Sequence, residues 1–183
     1  MELKETVLNR RSIREYDTKD ISENILIEIM DAVRFYPSWK NSQTSRFYFI
    51  KNQELKEKLA NEATINKEGK NAIMLRECNT LLVMTIKTGL SGTHSETIDQ
   101  TTTLREWEMF DSGIASQTFS LVAFEKGIGS VILGIFKNEI VKELCNIPKD
   151  EVVSVLIPLG YIKDKEYKAP RRKELDELIK IIK

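Results

Sequence analysis

A fold that mixes helices and strands in one domain is predicted by three features of the 183-residue chain. Apolar residues recur at helical spacing in two long stretches. Short β-branched and aromatic runs stand between the helical segments. Glycine and proline mark several of the junctions. No internal repeat and no Pro/Gly/Ser-rich linker divides the sequence, and its length suits a single core spanning residues 1–183.

The elements follow in order. Ser22 is placed to cap a helix whose stripe is Ile25, Leu26, Ile29, Met30 and Val33. Ile21 before that cap and Leu26 inside the helix have the spacing of a hydrophobic staple. Pro37 ends the segment, and Phe47-Tyr48-Phe49-Ile50 reads as a buried strand. A charged helix over Gln53 to Ala63 and a strand over Leu81 to Ile86 come next. Thr88 to Thr102 is small and polar, with Gly89 and Gly92, and is predicted to be a mobile loop.

The longest predicted helix runs from about Leu104 to Lys126. Trp107, Phe110, Ile114, Leu121 and Val122 give its periodicity, Gly113, Ala115 and Ser116 permit close contact, and Gly127 stops it. Strand Val131–Ile135, a short helix around Glu139–Cys145 and strand Val152–Ile157 complete the predicted core. After Tyr161 the chain changes character. Residues Lys163 to Lys173 are charged and extended, then Leu175, Leu178, Ile179 and Ile182 form an apolar face on a terminal helix. Such a tail either reaches across a partner or wraps the domain surface.

Composition narrows the function. With 28 basic and 28 acidic residues, formal net charge is zero, which argues against a nucleic-acid binder with a broad positive surface. No apolar run approaches membrane-spanning length, and the charged start Met1-Glu2-Leu3-Lys4-Glu5 is unlike a signal sequence. Cys78 and Cys145 are too few for a disulfide framework and fit a reducing cytoplasm. The single histidine, His94, lies in a small, polar stretch that reads as solvated loop, so a multi-histidine metal site is excluded.

Against this neutral background Arg10-Arg11-Ser12-Ile13-Arg14 stands out. Guanidinium groups are rigid forks that match phosphate oxygens two at a time, and a nearby hydroxyl adds a contact. The cluster reads as a seat for a phosphorylated small ligand, or as a solvated basic turn. Other motifs for holding phosphate or activating a nucleophile are missing. Gly127-Ile128-Gly129-Ser130 lacks the third glycine of the dinucleotide fingerprint and precedes a strand. Gly129 and Gly134 have P-loop spacing, yet Ile135-Phe136 stands where Lys-Ser/Thr is needed. There is no Gly-x-Ser-x-Gly elbow. A phosphate seat without a side-chain catalytic set suggests that a bound cofactor carries the reaction. Three segments fit that idea: the donor-rich turn Pro37-Ser38-Trp39-Lys40-Asn41-Ser42-Gln43, the glycine of Ile132-Leu133-Gly134, and the basic group Pro170-Arg171-Arg172-Lys173.

In that order these segments resemble the nitroreductase family of FMN-dependent flavoproteins. Arg10-Arg11-Ser12-Ile13-Arg14 is similar to its opening Arg-Arg/His-Ser-x-Arg/Lys motif. The run from Asp31 to Gln43 is similar to its Ala-Arg-x-Ala-Pro-Ser-x-x-Asn-x-Gln stretch. Asp111-Ser112-Gly113-Ile114-Ala115-Ser116-Gln117 resembles the start of its central helix, and Lys126-Gly127-Ile128-Gly129-Ser130 the turn after it. Ile157-Pro158-Leu159-Gly160-Tyr161, followed by Pro170 to Glu177, resembles its closing strand and arm.

The resemblance implies an α+β fold, with a mainly antiparallel central sheet flanked by helices. It further implies an intertwined homodimer that exchanges a C-terminal arm of about residues 162–183. Arg10 and Ser12, with Arg11 nearby, would bind the FMN phosphate and ribitol, helped by Arg171, Arg172 or Lys173. Arg14 would face the pyrimidine edge of the flavin. Pro37, Ser38, Trp39 and Asn41 would come from the other subunit. Gly134 would offer its N–H near flavin N5, beside Ile132 and Leu133. No side chain of this chain would be catalytic, because electrons pass from NADH or NADPH through N5 to a nitroaromatic, quinone or similar small acceptor. Reductive dehalogenation or flavin breakdown on the same fold, or a non-catalytic dimeric flavin- or anion-binding module, are the alternative readings.

The sequence departs from the family pattern at Thr44-Ser45, where Pro-Trp is common, at the bulky Trp39, and at Lys173-Glu174, where Lys-Pro is commoner. The 88–102 loop carries no family signature. Arg10 and Arg14 are thereby given different tasks. Arg14→Ala is expected to shift the flavin reduction potential more than FMN retention, while Arg10→Ala mainly loosens FMN. Redox and binding titrations of both variants check this, and identical behaviour would refute the division.

Overall fold

The computed structural model describes residues 2–92 and 106–183. Its helices are α1 (Leu3–Asn9), α2 (Glu23–Val33), α3 (Gln53–Lys58), α4 (Lys70–Glu77), α5 (Trp107–Glu125), α6 (Asn138–Leu144) and α7 (Leu175–Leu178). The strands β1 (Ser45–Ile50), β2 (Thr80–Lys87), β3 (Ile128–Ser130) and β4 (Glu151–Tyr161) form one antiparallel sheet in the order β1-β2-β4-β3.

β2 is central and buried on both faces, which explains its unbroken apolar run. Leu82 and Met84 join Ile157 and Leu159 of β4 against α2 and α5, through Leu26, Ile29, Val33, Ala115, Phe119 and Ala123. Leu81 and Val83 point the other way, packing with Leu59, Ala63, Leu75, Val141 and Leu156. A register shift opposite Met84/Thr85 leaves Ser154 without a cross-strand partner. That extra residue resets the alternation, so Val153 and Leu156 reach the same core. The Ser154 hydroxyl donates to Met84 O at 3.1 Å and accepts from Ser112 Oγ of α5 at 2.8 Å. The hydroxyl of the bulged residue is therefore satisfied and ties the strand to the helix above it.

Most predicted elements are present. Ser22 Oγ accepts from Ile25 N, and Ile21 and Leu26 are buried in one cluster, as a staple requires. Gly127 ends α5 in the left-handed region at φ +77°. Four points differ. The predicted strand Val131–Ile135 is not one: β3 lies earlier, directly after Gly127, and beyond Ser130 only Leu133 bridges β4, at Leu156. Val131 and Leu133 are buried and Ile132 is exposed, so the alternation is real without ladder pairing. The predicted helix over residues 53–63 is present, but it is α-helical only to Lys58 and π-helical over Leu59–Ala63. α1 and α4 had no predicted counterpart. The predicted start of the central helix at Leu104, and His94 with most of the 88–102 loop, lie outside the described residues.

Two glycines accept side chains from the chain's opening segment. Ser12 bridges Ser130, Ile13 N donates to Ser130 O at 2.9 Å, and Asp17 N donates to Tyr161 O at 2.9 Å. Ile13 then lies on Gly129, where an added Cβ would stand 2.7 Å from Ile13 Cβ. Tyr16 lies on Gly160 more closely still, with its hydroxyl donating to Ile13 O and Pro158 O. Gly129→Ala and Gly160→Ala are each expected to lower stability by about 1–3 kcal/mol through overpacking. Urea denaturation measures this, and unchanged midpoints would show that the segment yields freely.

Candidate functional site

The docked segment carries Arg10, Arg11, Ser12 and Arg14 to the β3 edge of the sheet. The C-terminal arm meets them there. Ile162 bridges Tyr16, Lys165 pairs with Glu15 at 2.7 Å, and Tyr167 packs on the core. Together Arg10, Arg11, Ser12, Arg14, Tyr167, Lys168, Pro170 and Arg172 line a cavity of about 440 Å³.

Its charge is one-sided. Among the described residues no acidic side chain forms a salt bridge with Arg10, Arg11, Arg14 or Arg172. These guanidiniums donate instead to nearby carbonyls: Arg11 to Leu8 O and Arg10 O, Arg14 to Ser12 O, Arg172 to Pro170 O. Arg11 Nε is buried without a hydrogen-bond partner. Burial first, then the charges of Arg11 and Arg172, hold the Arg10 guanidinium below its ordinary pKa. Such crowding is relieved by an anion. Of the three tail cations, Arg172 lines this cavity. Arg171 and Lys173 do not, and Lys173 lies 3.9 Å from Glu177.

Gly134 belongs to the same edge. Leu133 exchanges two backbone hydrogen bonds with Leu156, at 2.8 and 3.0 Å. Ser130 pairs with Leu159, three residues further along β4, which is a separation of about 10 Å. Gly134 is exposed, with nothing within 4 Å of where a Cβ would be, and Ile132 is exposed beside it.

The turn over residues 37–43 is elsewhere. It leads into β1, at the opposite edge of the sheet, and is fastened to the N-terminal end of α5. Asp111, fully buried, accepts from Trp39 N with both carboxylate oxygens at 3.1 Å, from Ser91 Oγ at 2.7 Å and from Ser42 Oγ at 3.4 Å. Lys40, Asn41 and Gln43 have φ of 45°, 57° and 49°. Each left-handed non-glycine residue costs on the order of 1 kcal/mol or more, so this turn persists only where its surroundings hold it. The Trp39 ring lies 4.8 Å from that of Trp107, which meets Phe110 edge-on at 5.1 Å.

The structure thus brings together Arg10, Arg11, Ser12, Arg14 and Arg172, with Ile132, Leu133 and Gly134 nearby along β4. It does not bring Pro37, Ser38, Trp39 or Asn41 to them within one chain. From Asp111 to Glu125, the helix α5 alone spans about 21 Å. Tyr167 and Lys168 are lining residues that sequence reasoning missed, because inside a charged run nothing distinguishes the positions that face inward. Among the described residues no three His, Cys, Asp or Glu side chains are grouped to hold a metal ion.

Comparison with known proteins gives one consistent result. The family model described as "Nitroreductase family" matches residues 7–161. A protein of Archaeoglobus fulgidus, provisionally named an NADH dehydrogenase/NAD(P)H nitroreductase, is 29% identical over 178 residues, covering 94% of this chain and 93% of the relative. The crystal structure of a nitroreductase family protein from Clostridium novyi is 27% identical with a TM-score of 0.77, covering 90% and 87% of the two chains. A provisionally named nitroreductase from Exiguobacterium sibiricum, crystallised in complex with FMN, shares the fold at 22% identity and a TM-score of 0.81, covering 98% and 97%.

If the cavity is an anion seat, added inorganic phosphate raises the melting temperature. At about ten times its Kd the gain is roughly 1.4 kcal/mol. Thermal melts of Arg172→Ala should lose most of that shift and those of Lys173→Ala should keep it. Equal shifts in the two variants would contradict the assignment.

Proposed function

The chain belongs to the nitroreductase family, and from that premise we propose that it is an FMN-dependent oxidoreductase moving electrons from NADH or NADPH to a small acceptor. The observation that carries this reading is the cavity in which Arg10, Ser12, Arg14 and Arg172 converge without a salt bridge to an acidic side chain among the described residues. Its donor set fits a phosphomonoester: forked guanidiniums, a hydroxyl, and a buried Arg11 Nε that has no partner. Open backbone at Gly134 lies about 10 Å along β4 from that seat, room for a flat ring beside Ile132 and Leu133.

In this reading Arg10, Arg11, Ser12 and Arg172 hold the FMN phosphate and ribitol. Arg14 places a cation at the pyrimidine edge, and Gly134 offers a backbone N–H to the ring. FMN, when bound, supplies a two-electron carrier between a nicotinamide donor and a nitroaromatic, quinone or similar acceptor. The protein orients the partners and keeps water from the ring, without a side-chain acid or base.

A homodimer belongs to the same proposal. The turn bearing Pro37, Ser38, Trp39 and Asn41 sits at the sheet edge remote from the arginines, so a second copy must supply it to a shared ligand. Exposed Leu175, Leu178, Ile179, Ile181 and Ile182 on the arm, and Met109 and Phe110 on α5, are apolar surface that a second copy would cover. Among the described residues no helix is long and apolar enough to cross a membrane.

The purified protein is expected to be yellow or to become so with FMN, to bleach anaerobically with NADH or NADPH, and to run as a dimer in light scattering. Truncation after Lys173 should give a monomer that loses FMN. A protein that stays colourless with added FMN would sink the proposal.

A further inference from the structure

We propose that Asp111 is a positioning residue for the flavin seat, holding the 38–42 turn in the geometry that presents it to FMN. This rests on the reading just given, in which that turn contacts the cofactor. The carboxylate is fully buried and, among the described residues, has no cation beside it. Taking a carboxylate from water against neutral donors alone is unfavourable for stability. What it gains is placement. Both oxygens receive the Trp39 N–H, and Oδ2 also receives the hydroxyls of Ser91 and Ser42.

The remaining hydrogen bonds of the turn are largely internal. Asn41 N donates to Ser38 O, Ser42 N to Trp39 O and Gln43 N to Ser38 Oγ. These curl the chain without fixing where the curl sits. Asp111 supplies the tie to α5, and Trp107, one turn earlier on the same helix face, takes the Trp39 ring. Residue 39 is thus held at its backbone and at its ring by positions four apart on one helix. Ser91, which follows β2 and is buried, adds a third segment of the chain to the donors around the carboxylate.

Asp111→Asn keeps size and shape but turns one acceptor into a donor that faces donors. Its FMN dissociation constant, from fluorescence titration, should rise about tenfold, the equivalent of one charge-assisted hydrogen bond. Inorganic phosphate affinity should be unchanged, because the arginine seat lies at the other sheet edge. The circular-dichroism couplet of the Trp39–Trp107 pair, identified by its loss in Trp107→Phe, should weaken in the apoprotein. Equal losses of FMN and phosphate affinity, or wild-type FMN affinity, would overturn the proposal. Should Asp111→Asn fail to fold, Ser91→Ala removes one donor and leaves the carboxylate. It should weaken FMN in the same direction with phosphate unaffected, and wild-type FMN affinity there overturns the proposal equally. A wild-type chain that binds no FMN would instead overturn the reading on which the inference rests.

Discussion

Ile13 and Tyr16 reach the sheet because residues 129 and 160 have no side chains, and the basic cavity depends on that contact. Without it Arg10 to Arg14 would form a solvated turn, with charges free to separate. With it, a parallel bridge at Ser12 and Ser130 fixes the backbone, and the two buried side chains fix its distance from β3 and β4. The same docking orders the start of the arm, since Ile162 pairs with Tyr16 and Lys165 with Glu15. One packing event therefore sets the position of both basic groups, which lie some 160 residues apart in the chain.

The charges assembled this way oppose their own assembly. Arg10, Arg11 and Arg172 share a cavity, and Arg10 is held below its ordinary pKa by burial and by the other two. Hydrophobic docking of Ile13, Tyr16 and Tyr167 supplies what holds them together in the ligand-free protein. A phosphate monoester, as proposed for this cavity, would reverse the sign of that balance. Repulsion among the guanidiniums would become shared attraction to one dianion, stronger for being partly shielded from water. In the proposed reading, binding would thus be linked to seating of the arm, whose exposed apolar residues past Glu174 would meet a second copy.

Sequence patterns revealed the parts that rest on local physics. The Ser22 cap, the Ile21–Leu26 staple, the Gly127 stop and the apolar run of β2 all follow from short-range rules, and all are present. α4 was not legible because its buried side chains, Ala72, Met74 and Leu75, form too short a stripe among charged residues. β3 was displaced because the β-branched run after Ser130 looks more strand-like than Ile128-Gly129-Ser130. Yet Gly129, depleted in strands for want of a side chain, pairs there because Ile13 takes its place. At the site, residue types were legible and partners were not. Nothing local distinguishes Arg172 from Arg171 and Lys173, or marks Tyr167 within a charged tail. Asp111 was visible only as the first residue of the stretch that resembles the start of the family's central helix, with no role of its own. Its hold on Trp39 is a contact across 72 positions, set by where β1 and α5 lie.

The separation of the Asp111-anchored turn from the arginine cavity bears on the proposed assembly. Sheet order puts β1 and β3 at opposite edges, about 14 Å apart at ordinary strand spacing. The turn is anchored to the first turns of α5, whereas the arginines dock beside the strand that follows its last turn. The helix α5 therefore stands between them within one chain. In the proposed homodimer, two copies related by a twofold axis would remove the difficulty, because each would supply the turn to the other's cavity. The strained conformation of Lys40, Asn41 and Gln43 then has a physical reason. In that proposal a turn that meets a ligand held by another subunit would not adapt to neighbours of its own, and its shape would be set in advance by its ties to Asp111 and Trp107.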